Sequence, residues 1–361
     1  MALFILRRIG VMLLTAFCLT FIVFFLTNLG PNLEKLAKTQ GNQRMTDEQV
    51  VSWLEKRGYN QNTLVKYGEW LGVLPSHRFT EEDGTLLGRC VRGTVPAEET
   101  PHYCGVLQGN FGFSTVFKEE VSTIIGIRLS LTGWLALAVL IVMVPSALVV
   151  GIIAGMREGS KTDRSLSTFS IATTATPEYV SGVILIVLLA SSQVGLSPLF
   201  KELGLIDGRT ILKGSAAQAM NDANFVNFSL PVITLALYGM GYIARMTRAS
   251  MAEVMTAQYI RTARLKGVSF PMIVIKHALR NALIAPFTVI MLQIPYLLTG
   301  VVIVETLFNY KGFGWTLVQA ASNNDIELLL SVSIVAVLVV LVTQLISDIG
   351  YAYLNPRIRV S

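Results

Sequence analysis

The sequence predicts an all-α polytopic membrane protein with six transmembrane helices and a folded extracytoplasmic loop. Three observations carry that prediction. Apolar residues make up 52% of the chain against 14% charged, and the mean hydropathy is +0.58, a balance suited to lipid rather than to one water-enclosed core. Six windows reach the ~20 apolar residues needed to cross ~30 Å of hydrocarbon. Basic residues concentrate in alternate connectors, as the topology of an inserted chain requires.

The first window, 9–29, follows Arg7 and Arg8. It is longer than a secretory h-region and no clean small-x-small cleavage site follows it, so it reads as a retained helix. Residues 1–29 therefore form an N-terminal segment with the first span, and 30–125 an extracytoplasmic loop domain. In that loop Thr46-Asp47-Glu48-Gln49 reads as a capping box before Val50, Val51, Trp53 and Leu54. Asn62 caps a second expected helix carrying Leu64, Val65, Trp70 and Leu71. Residues 73–104 turn polar and loop-like, with Pro75, Pro96, Pro101 and the acidic run Glu81-Glu82-Asp83.

The remaining spans are expected at 129–154, 166–192, 228–249, 283–304 and 328–354, within a permease-like core of 126–361. Pro177 beside Glu178 predicts a kink in the third, because proline lacks an N–H and frees a backbone carbonyl. Residues 194–227 read as an outer connector with a short amphipathic helix near 216–223, and Gly312 and Gly314 as a turn after the fifth span.

With the N-terminus inside, the inner segments carry Arg7, Arg8, Arg157, Lys161, Arg164, Arg245, Arg248, Arg261, Arg264, Lys266, Lys276, Arg280, Arg357 and Arg359. Their acidic residues are Glu158, Asp163, Glu253 and Asp348. The short outer loops hold only Lys201, Arg209, Lys213 and Lys311 among basic residues, so both termini are expected in the cytoplasm. The net charge of +6 thus reflects topology and points away from nucleic acid.

Between the fourth and fifth spans lies a basic, helical connector at 253–283 with an internal pattern. Ala263 and Gly267 are small residues four apart, the chain breaks at Ser269-Phe270-Pro271, and a second helical run follows. Small residues permit close approach to a protein surface, so this reads as a docking loop; an amphipathic helix lying on anionic lipid is the plainer alternative. Arg245 and Arg248 at the end of the fourth span read as snorkelling side chains.

Cys90 and Cys104, both in the external loop, are expected to pair, closing a loop worth roughly 3 kcal/mol. A metal site of His77, Cys90, His102 and Cys104 matches no common zinc spacing. Cys18 reads as a small apolar filler. Glu178 and Glu305 are the carboxylates placed within spans and hence candidates for the pathway or its gating. The chain carries no HExxH, GxSxG or GxxxxGK[ST], so a transport subunit is expected rather than an enzyme.

Residues RMTRASMAEVMTAQYIRTARLKG (245–267), KHALRNALIAP (276–286), GVVIVETLFNYKGFG (300–314), YAYLNPRIR (351–359), LRRIGVMLL and LQGNFGFS (107–114) together resemble the permeases of dipeptide/oligopeptide-type ABC importers. The resemblance implies a six-helix core in a bacterial inner membrane. It implies partners: a second homologous permease subunit, two cytoplasmic ATPase subunits holding ATP and Mg, and an extracytoplasmic substrate-binding protein. It implies no cofactor on this chain. The ATPase-coupling loop would comprise Arg261, Thr262, Ala263, Lys266, Gly267, His277 and Arg280. The general EAA signature stands here as Arg261-Thr262-Ala263, Lys311 replaces a proline usual after Glu305, and Ser130 replaces another. The stretch 73–104 looks like an insertion. The function expected is one half of a translocation path for peptides or similar small solutes. An ion-coupled secondary transporter or channel, working through Glu178 or Glu305 without ATPases, is the alternative class; such folds usually show inverted repeats, and no internal symmetry is evident.

Overall fold

The computed structural model describes residues 2–80, 86–91, 100–299 and 301–354. The acidic run Glu81-Glu82-Asp83, Pro96, Gly300, Arg357 and Arg359 lie outside the described residues. Helices α1 (Ala2–Thr27), α5 (Val121–Met156), α9 (Phe225–Thr256) and α16 (Ile326–Leu354) each contain a segment long and apolar enough to cross a membrane.

The third and fifth expected spans are broken. Helix α6 (Lys161–Ala175) meets α7 (Glu178–Leu189) at 105°, and the helical stretch Phe270–Ala282 meets α13 (Ile284–Thr299) at 56°. Counting each bent pair as one span gives six. The first break has a local cause. Pro177 cannot donate to the helix and its ring holds Thr176 extended, at φ −83° and ψ 122°. Pro177 then stands at the N-cap of α7. The stretch from 270 is itself irregular: α11 (Phe270–Met272), a π turn over Ile273–Ala278, then α12 (Leu279–Ala282).

Two compact units divide the chain. One comprises Ile5–Leu129 and Thr316–Leu341. Within it both predicted caps are present. Thr46 accepts from the Gln49 N–H and Gln49 answers, opening α3 (Asp47–Lys56). Asn62 accepts from the Leu64 N–H at the start of α4 (Thr63–Leu71). Tyr67 packs edge-on against Phe21 and Phe24, and its hydroxyl meets Thr20 Oγ1 at 2.7 Å. Sequence reading missed α2 (Gly30–Gln40) and two short antiparallel hairpins, Arg78–Thr80 with Leu86–Gly88 and Phe113–Ser114 with Glu119–Glu120. Cys90 and Cys104 form a disulfide with Cα atoms 5.6 Å apart. Cys18 does not fill a core: it is exposed on α1, as a small apolar residue facing lipid can be.

The other unit comprises Met1–Phe4, Ser130–Trp315 and Val342–Ser361. Here α9 is the centre, packed by α6, α7 and α13. Its start is fixed by a reciprocal cap in which Asn224 accepts from the Val226 and Asn227 N–H groups and Asn227 accepts from Asn224. Backbones meet closely because glycine leaves room: a Cβ on Gly241 would stand 2.4 Å from the Ser170 carbonyl of α6. The outer connector holds α8 (Leu196–Glu202), unexpected from sequence, and the helix expected near 216–223 shortens to a 3₁₀ turn over Ala217–Met220. Helices α14 (Val302–Leu307) and α15 (Phe313–Ser322) follow α13. Gly314 therefore lies in a helix, and the left-handed residue of the preceding turn is Asn309 (φ 51°) instead.

Candidate functional site

The connector after α9 folds from its own sequence signals. Ala257 turns extended (φ −64°, ψ 148°) and ends α9, and α10 (Gln258–Leu265) begins at once. Gly267, at φ +76°, closes α10. Its N–H donates to the Arg264 carbonyl at 3.0 Å and the Val268 N–H to Ala263 at 3.2 Å. Those two bonds define a Schellman cap, which needs a left-handed residue and so favours glycine. The Ala263–Gly267 spacing is therefore a helix ending. It corrects the expectation that both small residues face a partner: Ala263 is buried against Ile260, Ile273, Val274 and Ala278 of the chain's own core.

What faces outward is the opposite side of α10. Arg261, Thr262, Arg264, Leu265, Lys266 and Gly267 are exposed, and Leu265 reaches 82% exposure. An apolar knob ringed by basic side chains is thus held rigidly from below by Ile260 and Ala263. His277, half-buried in the π turn, and exposed Arg280 on α12 stand further along the connector. The Asn281 side chain donates to the Tyr259 hydroxyl at 2.9 Å, tying α12 to α10. The same end of this unit is pinned by Arg248, which does more than snorkel: its Nε and one terminal nitrogen each lie 2.7 Å from an Asp163 oxygen. Asp163 also accepts from the Gly159 N–H and the Ser167 hydroxyl, locking the α5–α6 connector.

Glu305 lies on the short helix α14, whose N-cap is Val301 (φ −83°, ψ 20°). It is fully buried. Thr132 Oγ1 donates to Oε1 at 2.5 Å, the Trp315 N–H donates to Oε2 at 2.7 Å, and the Phe313 N–H donates to Thr132 Oγ1 at 2.8 Å. A Cβ on Gly312 would fall 2.2 Å from Oε1, so this carboxylate sits where only glycine admits it. Glu305 is an anchor for the 308–315 turn. Lys311 uses its N–H toward Met220 Sδ at 3.3 Å, a contact that a proline at this position could not make.

Glu178 differs. It opens α7 at the Pro177 break, is 8% exposed, and accepts from the Tyr296 hydroxyl of α13. Tyr296 lies 5.8 Å from Tyr238, ring to ring, and Tyr238 lies 5.6 Å from Tyr242. In the other unit, His77 is held by Gln61 (3.0 Å) and the Lys56 carbonyl (3.2 Å), and both external cysteines are consumed by the disulfide, so these residues do not assemble as metal ligands.

The family described as binding-protein-dependent transport system inner membrane component matches residues 147–360. A di/tripeptide transport system permease of Pseudomonas aeruginosa is 31% identical, covering 99% of this chain and 98% of its own. An oligopeptide transport system permease of Bacillus subtilis is 29% identical over 85% of this chain and 84% of its own. A glutathione transport system permease of Escherichia coli K12 is 31% identical over 72% and 78%.

Proposed function

Because this chain belongs to the family of binding-protein-dependent transport system inner membrane components, we propose that it is one half of the translocation path of an ATP-driven importer for peptides or peptide-like solutes. It is a multi-pass membrane protein and a transport subunit, not an enzyme. The relatives' names carry the solute class: di/tripeptide, oligopeptide and glutathione. The observation that carries the coupling role is the outward ridge of α10, with Leu265 82% exposed on a helix whose inner face is buried and whose end is capped by Gly267. A rigid apolar tip with a basic surround is suited to a groove on a cytoplasmic ATPase, and the α10 backbone would transmit its displacement into α9.

The remaining partners follow from that role: a second homologous permease to complete the path, two ATPases to hold ATP and Mg, and an external binding protein to deliver solute. Both termini then lie in the cytoplasm of a bacterial cell. ATP bound and hydrolysed on the partner ATPases supplies the work, which moves the path between inward- and outward-open states, with this chain contributing a two-state wall and no chemistry.

The test is reconstitution with candidate ATPases and binding protein in liposomes, reading peptide-stimulated ATP hydrolysis and import. Leu265→Asp should leave insertion and yield unchanged and lower import at least about tenfold, a loss of roughly 1.4 kcal/mol or more of coupling. Wild-type import by a Leu265→Asp complex would remove the docking assignment. Gly267→Trp, which adds left-handed strain of roughly 1–2 kcal/mol to any steric effect, is the less selective probe.

A further inference from the structure

The exposed side of α9 is unlike that of the other long apolar helices. Helix α5 exposes Leu137, Ile141 and Val149, and α16 exposes Leu338, Val342 and Ile346, all suited to lipid. Helix α9 exposes Phe225, Val226 and Met246, but also Tyr242 and Arg245, with Tyr238 half-exposed one turn before Tyr242. Tyr238, Tyr242 and Arg245 recur at helical spacing, so they share one face. Tyr238 leads on to Tyr296 and through its hydroxyl to Glu178.

Glu178 is the unusual member. It is more than nine-tenths buried, its Oε2 accepts from Tyr296, and among the described residues its Oε1 has no hydrogen-bond partner and no cation lies within ion-pair distance. The positive end of α7 offsets part of that charge. A buried carboxylate bonded to one tyrosine hydroxyl, with a second tyrosine ring beside that partner, is nonetheless the chemistry of an ammonium site, since ring faces attract cations. Arg245, whose guanidinium lies 5.8 Å from the Tyr242 ring, stands seven residues beyond Tyr238, about 10 Å along the helix.

We propose that Glu178, Tyr238 and Tyr296 hold the ammonium end of a zwitterionic peptide in transit, and that Arg245 beside Tyr242 meets its carboxylate. The strip rests on the peptide-import reading above and gives it a place in the path. It is dipolar: negative and aromatic at one end, positive at the other. A short peptide is dipolar in the same sense, and sliding along such a strip would satisfy both of its ends without a deep well.

The experiment uses the full-length chain in native membrane vesicles, with Cys18→Ala as background and Tyr238→Cys or Tyr242→Cys added. Each thiol is reacted with a cationic (trimethylammonium) and an anionic (sulfonate) methanethiosulfonate, and the rate ratio is normalised to that of free cysteine. At Tyr238→Cys the cationic reagent should be favoured about tenfold, as one nearby charge in a partly dehydrated site predicts, and Glu178→Gln should erase the preference. At Tyr242→Cys the anionic reagent should be favoured, and Arg245→Gln should erase that. The exposed position 242 keeps the test readable should Tyr238→Cys fail to accumulate. Thiols that react with neither reagent, while a membrane-permeant maleimide labels them, would place this face against lipid or protein and overturn the proposal. Ratios unmoved by Glu178→Gln and Arg245→Gln would do the same. Reagent preference is read without ATP or import, so an inert reconstituted importer would strike the functional reading and leave this result separate.

Discussion

Glu327 and Glu305 show how differently the two units treat a carboxylate. In the unit built on Ile5–Leu129 and Thr316–Leu341, Glu327 stays half-exposed and pairs with Arg89 at 2.9 Å. In the unit built on Ser130–Trp315, Glu305 is fully buried and is met by a threonine hydroxyl and a backbone N–H, with no cation paired to it among the described residues. The first unit carries a disulfide, a half-exposed ion pair, and a buried hydrogen bond in which Asp325 accepts from Ser114 at 2.6 Å. The second has an ion pair of its own, Arg248 with the buried Asp163, and adds close backbone contact at Gly241 and fixed dipoles at Glu305. The lesson lies in single contacts: the Gly241 contact of the second unit is one of shape, whereas the Cys90–Cys104 tie of the first is a bond that a substitution can remove.

The largest effect should follow from breaking shape. Gly241 faces the Ser170 carbonyl and Thr173 Oγ1, which an added Cβ would approach to 2.4 Å and 2.5 Å. The first of these is backbone and cannot swing aside. Gly241→Leu should therefore separate α9 from α6 and abolish monodisperse protein in detergent, beyond the ~1–3 kcal/mol of ordinary overpacking. A monodisperse, normally yielding variant would show that the contact can relax.

Next comes the external tie. Replacing Cys90 and Cys104 with serine should cost roughly 3 kcal/mol of local stability, visible as faster proteolysis between 73 and 104 with the core unit unchanged. Mass mapping of non-reduced peptides checks the bond itself. A third, smaller effect distinguishes the two carboxylates. Gln at 305 can accept from the Trp315 N–H, but its NH₂ then faces Thr132 Oγ1, which already accepts from Phe313. The threonine hydroxyl proton is left without a partner at a fully buried site. Glu305→Gln should therefore cost about 1–3 kcal/mol, more than the mild effect a carboxylate near a membrane face would give. Thermal unfolding of the purified chain decides between them.

Much of this division was legible in the sequence, and the exceptions have causes. Hydropathy marked every long span, since lipid demands a continuous apolar stretch, and Pro177 marked the sharpest bend. Thr46 and Asn62 announced their helices because a cap bonds only a few residues away. Partners remote in sequence left no such signal: Thr132 and Glu305 are 173 apart, Glu178 and Tyr296 118 apart. Ala263 misled because small residues serve two ends. The same spacing that lets a helix approach a partner also builds a helix ending at Gly267, and only the burial of Ala263 separates the two. The short hairpins were missed because strands of two or three residues carry no readable alternation.

The smallest effect tests how replaceable a single charge is in the unit of Ile5–Leu129 and Thr316–Leu341. Burial raises the Glu69 carboxyl above its ordinary range, partly offset by the His77 N–H, which donates to Oε2 at 3.3 Å. A raised acid binds its proton more readily folded than unfolded, so its contribution to stability is complete below the unfolded value of about 4.3 and is lost as pH rises through the folded value. Glu69→Gln keeps an oxygen for His77 and removes the titration. The variant should thus be slightly the more stable at about pH 7, with the wild type catching up as the solution is acidified toward about pH 4. Fluorescence of Trp70 and Trp53, both in this unit, follows the transition. A gap that widens on acidification would mean that the folded carboxyl sits below its unfolded value, with the His77 charge and N–H outweighing burial.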